Sequence, residues 1–325
     1  MTYQRKLKPA IYADLIAHHI GSGSGNPWTA DSGTVNTDSS LVELSDGMPK
    51  IRCLFDTNGS GTEVVLEVDF GSTDNAVYAY AVLNHNLNAS GAKLEIRGFA
   101  TDNYAGATVL SLTDLVGTLT SKTVDNDGSN VLTSESTGMR YYWIRIYPVG
   151  ATFTDDIEIG QICLCRRWLA PHGPDMGGTR PLDFSGVKLQ QTRGGGNNAV
   201  VDWLTGSESS SAPFGQPFRY DHAGTSRDDQ RMAGRRSWSH TLSLIDDDDF
   251  FTSDLSVSVG DAGTIDLHDI LTITGGQRHP FIFTPDSAST TTGDYMWGRF
   301  SQASVNPEEN SQHVLSVDLS IQEEF

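Results

Sequence analysis

Four oxygen-bearing side chains between strand-like segments have the spacing of a calcium loop. Asp56, Asn58, Ser60, Gly61 and Glu67 fit D-x-N-x-S-G-x5-E, with oxygens at loop positions 1, 3, 5 and 12 and a glycine at the bend. The flanking segments are IRCLF and VVLEVDF, which read as strands and not as helices. A strand rising about 3.3 Å per residue carries Glu67 away from an ion held at the turn. Two readings stand: a Gly-rich hairpin turn, and a Ca2+ site using Asp56, Asn58, Ser60 and Glu63.

A second group of residues has the chemistry of sugar binding. In YYWIRIYPV (141–149), Tyr142, Ile144 and Ile146 share one face of a strand, and Tyr141, Trp143, Arg145 and Tyr147 share the other. Aromatic faces stack on sugar rings, although such a stripe also packs beneath loops or a neighbouring domain. Trp28, Tyr104, Tyr141 and Trp143 are the candidate glycan-stacking residues.

Other clusters offer less. Adjacent His18 and His19 point apart in either regular structure and read as a surface pair. Asp246 to Asp249 suit the N-terminus of a short helix, or a solvated loop. Arg227, Arg231, Arg235 and Arg236 form a basic island that would meet acidic surface. The run RGGGNN lacks the lysine and hydroxyl of a phosphate loop. No activated nucleophile or acid and base pair is recognisable, so the chain is expected not to be an enzyme. A glycoside hydrolase would need two carboxylates converging on one cleft, and no pair can be chosen from the sequence.

The elements that position these residues follow from composition and periodicity. The chain has 325 residues, 33 of them glycine, and only 37% are hydrophobic, which suggests many short strands joined by turns. A length of 325 allows two domains with a core each. The 41 acidic and 22 basic side chains give a charge of -19, which argues against nucleic acid or anionic lipid as partner. No run of about 18 apolar residues occurs, and no signal-peptide core follows the N-terminal basic residues, so neither membrane insertion nor export is expected. Cys53, Cys163 and Cys165 cannot all pair. Cys163 and Cys165 point to the same face of a strand, and all three read as reduced, packed thiols.

In EVVLEVDFGSTDNAVYAYAVLNHNL (63–87), Val64, Leu66, Val68 and Phe70 alternate with Glu63, Glu67 and Asp69, as in a half-buried strand. Residues 76–83 are apolar on both faces. The two segments are expected to be neighbours in one sheet. Leu94 and Ile96 face inward, and 157–164 closes the sheet. Residues 166–181 are rich in Gly and Pro and read as a connector, with a domain boundary near 170. Beyond it, 238–245, 280–285, 295–300 and 314–321 read as strands, and 265–273 as a short helix or strand.

The ordered series VVLEVDFGS, VYAYAVLNHNL, AKLEIRGFA, YYWIRIYP and DIEIGQICL resembles the discoidin-type galactose-binding-like jelly roll over about residues 50–168. The family includes sugar-binding, lipid-binding and structural members, so the resemblance implies a fold and a leaning toward glycans. The series RSWSHTLSLI, HPFIFTPD, YMWGRFSQASV and LSVDLSIQEEF resembles the strand order of phage tail-tip and minor tail proteins over about 235–325. Together these imply a mainly β chain of two β-sandwich domains. Residues 1–170 would be the jelly roll with an N-terminal arm, and 171–325 a sandwich with one or two short helices. The expected function is a non-enzymatic structural component of a phage virion, at the tail tip or baseplate. It would be assembled in the bacterial cytoplasm as a homo-oligomer contacting other tail proteins. The alternative is a carbohydrate-binding or receptor-binding adhesin that contacts a host-surface glycan.

Overall fold

A computed structural model describes residues 8–23, 25–49, 51–71, 75–110, 112–114, 117–119, 122–123, 128–133, 138–175, 178–180, 182–183, 187–191, 197–201, 235–250, 265–289 and 295–324. The chain opens with β1 (Ala10–Asp14) and α1 (Leu15–Gly21), where the Asp14 side chain accepts from the Ile16 N–H and caps the helix. There follow β2 (Trp28–Ser32), a 3-10 turn at Leu41–Ser45, β3 (Cys53–Phe55), β4 (Val64–Asp69), β5 (Ala79–His85) and β6 (Ala92–Phe99). Next come a 3-10 turn at Tyr104–Gly106, β7 (Thr108–Val109), β8 (Leu112–Asp114), β9 (Gly117–Leu119), β10 (Lys122–Thr123) and β11 (Gly128–Thr133). Two long strands, β12 (Tyr141–Pro148) and β13 (Ile157–Leu169), complete the first half.

The second half contains β14 (Leu182–Asp183), the hairpin β15 (Val187–Gln191) and β16 (Asn197–Val201), β17 (Arg235–Asp246) and the one-turn α2 (Asp247–Phe250). It ends with α3 (Leu267–Thr274), β18 (Phe281–Thr284), β19 (Met296–Phe300), β20 (Pro307–Ser311) and β21 (Val314–Glu323). Asp266 caps the start of α3, and Gly275, at φ 59°, closes it in the left-handed conformation. The aspartate run does begin a helix, and the segment expected at 265–273 is helical over Leu267–Thr274. The glycines of the RGGGNN run, Arg227 and Arg231 lie outside the described residues.

The chain is mainly β, with two antiparallel sheets packed face to face as expected for a β-sandwich. One has the order β10-β6-β12-β4-β2, with β7 on β6. The other has thirteen strands in the order β14-β17-β21-β19-β18-β1-β13-β5-β11-β8-β9, with β20 on β21 and β3 on β13. Val64, Leu66 and Val68 of β4 and Tyr142, Ile144 and Ile146 of β12 share one core with Tyr80 and Val82 of β5 and Ile162 and Leu164 of β13.

This arrangement corrects one expectation. The segments 63–70 and 76–83 are not sheet neighbours: β4 lies between β2 and β12, while β5 lies between β13 and β11 in the opposite sheet. Alternation shows which face of a strand seeks the core, and two strands satisfy it equally well by facing each other across that core. The boundary expected near 170 falls directly after β13. Strand β1 pairs with β13 on one edge and with β18 on the other, so strands from both halves run in one sheet. Cys53, Cys163 and Cys165 are free and buried, with Cys163 and Cys165 in the same cluster.

Candidate functional site

The outward face of the smaller sheet gathers three of the four aromatic residues expected to meet glycans. Register sets the rows: Asp69, Tyr141 and Phe99 lie side by side, as do Thr29, Glu67, Trp143 and Arg97, and then Val65, Arg145 and Glu95. Each row is built from strands far apart in sequence, so the face exists only once the sheet has formed.

Trp143 is the centre of this face, and it is 0% exposed. Tyr141 stacks beside it with ring centroids 5.8 Å apart and an interplanar angle of 16°. Tyr104, from the 3-10 turn, packs against it at 6.0 Å and is half-buried. The Trp143 indole N–H meets Glu67 Oε2 at 3.0 Å and Asp31 Oδ2 at 3.1 Å. Arg97 lies 4.7 Å from the Tyr104 ring centroid and pairs with Glu95 at 2.7 Å. Arg145 pairs with Glu63 at 2.5 Å and stands 4.4 Å from the Tyr147 ring centroid. Arg140 grips Asp69 through two bonds of 2.7 and 2.8 Å, which hold that carboxyl below its usual range.

Two sequence candidates therefore change role. Trp28 is 5% exposed and belongs to the core between the sheets, because its side chain is on the inward face of β2. Trp143 is on the outward face as expected, yet Tyr141 and Tyr104 cover it, so its ring has no free face for a sugar. Tyr141 is 9% exposed, which leaves Tyr104 as the one of the four candidates that is not buried. The pairing of Asp31 with Glu67 was not legible in the sequence. These residues lie on adjacent strands whose register no local pattern fixes.

Burial, then the Asp31 charge, push the Glu67 carboxyl up from its ordinary 4.5 to about 7, against the lowering effect of the indole N–H. The folded chain therefore binds a proton that the unfolded chain releases near pH 4.5. The resulting contribution to stability is present at and below that pH and is lost as pH rises through 7. Between pH 5 and 8 the melting temperature of Glu67→Gln is expected to vary less than that of the unaltered chain. Parallel curves for the two proteins would remove Glu67 as the cause.

The calcium-like residues are not gathered around one point. Asp56 Oδ1 accepts from Asn36 at 2.8 Å, Ser60 Oγ accepts from the Thr62 N–H, and the Glu63 carboxylate is taken by Arg145. The backbone N–H groups of Thr57 and Asn58 both donate to Asp156 Oδ1 at 2.8 Å, so the loop turns donors toward an acid where a cation site needs acceptors. Among the described residues no group of three or more His, Cys, Asp or Glu is placed to hold a metal ion. His18 and His19 are half-buried rather than exposed, and burial lowers the pKa of each. No described helix is long and apolar enough to cross a membrane.

No family model matches the chain, and no curated protein matches it. Similar solved structures include carbohydrate-binding modules and the Ruminococcus gnavus GH29 fucosidase E1_10125, of which 25–26% of the chain is covered. One is chitosan-binding module 1 of a chitosanase/glucanase from Paenibacillus sp. IK-5, at 15% identity and TM-score 0.32, covering 42% of this chain and 93% of that one. Another is the family 32 carbohydrate-binding module of C. perfringens NanJ in complex with galactose, at 18% identity and TM-score 0.33, covering 48% of this chain and all (100%) of that one. A third is CBM32-1 of a family 31 glycoside hydrolase from Clostridium perfringens, at 8% identity and TM-score 0.31, covering 43% and 94%. Each covers less than half of this chain, and none bears on which ligand it takes.

Proposed function

We propose that the N-terminal half is a non-enzymatic carbohydrate-binding module and that a glycan lies on the outward sheet face beside Tyr104. The observation that carries this reading is the aromatic group itself. Tyr104 is held by Arg97, 4.7 Å from its ring centroid, and by Trp143 at 6.0 Å, and the Glu63 and Glu95 carboxylates are close enough to act on its phenol. A half-exposed ring with rigid support and flanking acceptors can stack on a sugar and take its hydroxyl protons. Asp31 and Glu67 do not make a hydrolytic pair, because both contact one indole N–H and leave no space for a glycosidic bond between them.

Calorimetry of the full chain against a glycan panel tests this. Tyr104→Ala is expected to weaken binding about tenfold with little change in melting temperature. Absence of saturable binding to every glycan, or equal binding by Tyr104→Ala, would overturn the proposal.

A second reading, a structural role in a phage tail, draws on the strand order of residues 235–325. The strands Arg235–Asp246, Phe281–Thr284, Met296–Phe300 and Val314–Glu323 occur in that order, with α3 between the first two. On this reading the protein is a virion component, and an antibody label seen at random positions rather than at the tail would sink it.

A further inference from the structure

A cavity of about 190 Å³ lies on the thirteen-stranded sheet where α1, the turn Leu41–Ser45 and the segment Arg278–Pro280 meet it. Three side chains line it from three strands: Asp14 of β1, Gln161 of β13 and Trp297 of β19. They are 3%, 0% and 1% exposed. Each polar head is only partly used. Asp14 Oδ1 accepts from the Ile16 and Leu164 N–H groups at 3.1 and 3.2 Å, and Gln161 Oε1 accepts from the Gly47 N–H at 3.1 Å. Asp14 Oδ2, Gln161 Nε2 and Trp297 Nε1 have no hydrogen-bond partner. The Ala17 backbone N–H also acts on the Asp14 carboxyl, and the Cys163 thiol beside Asp14 and Gln161 offers only a weak sulfur contact.

Buried donors and acceptors that lack partners are costly, and native chains rarely leave three around one space. The space exceeds the roughly 10–15 Å³ that one water needs by more than tenfold. The charged heads at the rim each have a polar partner within the chain. Arg299 donates to the carbonyls of Gln277 and Arg278 and lies 3.2 Å from Glu324. Arg278 reaches the Gly21 carbonyl, and Asp46 accepts from the Met48 N–H. What remains open is one acceptor and two donors, a demand that hydroxyl groups meet because each both donates and accepts.

We propose that this cavity binds a small neutral polyhydroxyl ligand of monosaccharide size, with one hydroxyl donating to Asp14 Oδ2 and others accepting from Gln161 Nε2 and Trp297 Nε1. Burial pushes the Asp14 carboxyl up to about 7, so Oδ2 accepts a hydroxyl proton in the ionised form that prevails above that pH, where the probes are tested. His279 at the rim is held below the usual histidine range by burial and by Arg278 and Arg299, and it adds no charge. This site is separate from the outward face of the smaller sheet and does not depend on it.

The test is saturation-transfer NMR and calorimetry on the full chain with galactose, glucose and inositol, and with glycine and glutamate as charged probes. At least one neutral probe is expected to bind saturably. Asp14→Asn keeps the helix cap and the two bonds at Oδ1 while turning the free acceptor into a donor, and it should weaken binding at least tenfold. Trp297→Phe keeps an aromatic ring of smaller size and removes the N–H, with an expected loss of about tenfold. Because both substitutions lie in the cavity, a loss of binding in both assigns the probe to this site and not to the sheet face. The proposal is overturned if no neutral probe binds, if only the charged probes bind, or if both cavity variants melt normally and bind unchanged.

Discussion

Trp143→Ala is expected to destabilise the chain by about 3–5 kcal/mol, the range for deleting a large buried aromatic side chain. The indole is fully buried on the outward face, among Val65, Ala107, Tyr141 and Tyr104, and its N–H is the shared donor to Glu67 and Asp31. Removing it opens a cavity and leaves two neighbouring carboxyl groups without that donor. Trp143→Phe keeps an aromatic ring while losing the donor and the pyrrole part of the indole, at a smaller expected cost of about 1–3 kcal/mol. Urea unfolding checks both values. A Trp143→Ala midpoint within experimental scatter of the unaltered chain would show that the ring is not part of the packing. Loss of glycan binding in Trp143→Ala would report collapse of the support beneath Tyr104 rather than removal of a stacking platform.

Glu323→Ala is expected to cost about 3 kcal/mol, as when one partner of a buried ion pair is removed. Glu323 is 1% exposed and accepts three hydrogen bonds from Arg236. Its Oε1 meets Arg236 Nε and Nη2 at 2.9 and 2.6 Å, its Oε2 meets the Arg236 backbone N–H at 2.9 Å, and the same guanidinium reaches the Tyr295 carbonyl. The carboxylate thus fastens β21 to β17 and to the residue that precedes β19. Glu324→Ala, next in sequence, removes an exposed partner of Arg299, and exposed pairs contribute less than about 1 kcal/mol. Denaturant midpoints for the two variants should therefore differ clearly. Equal shifts would mean that the buried pair is no stronger than the surface one.

Strand positions and faces were readable where a two-residue period was clean. The inward set Tyr142, Ile144 and Ile146 and the alternation of Val314 through Ile321 both appear as expected. Sheet membership was not readable, because β4 and β5 show the same preference for one core from opposite sides. Trp28 and Trp143 look alike as sequence features, and only the covering residues decide that neither has a free face. Asp31 and Glu67 meet the indole across sequence separations of 112 and 76 residues, and Asp14, Gln161 and Trp297 come from three strands of different regions. Such groups are products of register, and composition and local spacing carry no trace of them. The calcium-like spacing failed for a related reason: Arg145, brought alongside by pairing of β4 with β12, claims the Glu63 carboxylate.

The position of β1 between β13 and β18 also fixes an order of events during synthesis. Ala10 to Asp14 leave the ribosome before Cys165 to Leu169, and they gain their second partner only when Phe281 to Thr284 emerge. Until then one edge of the central strand has open backbone donors and acceptors, and closure is governed by contacts of very long sequence separation, which form slowly. A nascent chain arrested before Phe281 therefore carries an unfinished edge in the middle of its largest sheet.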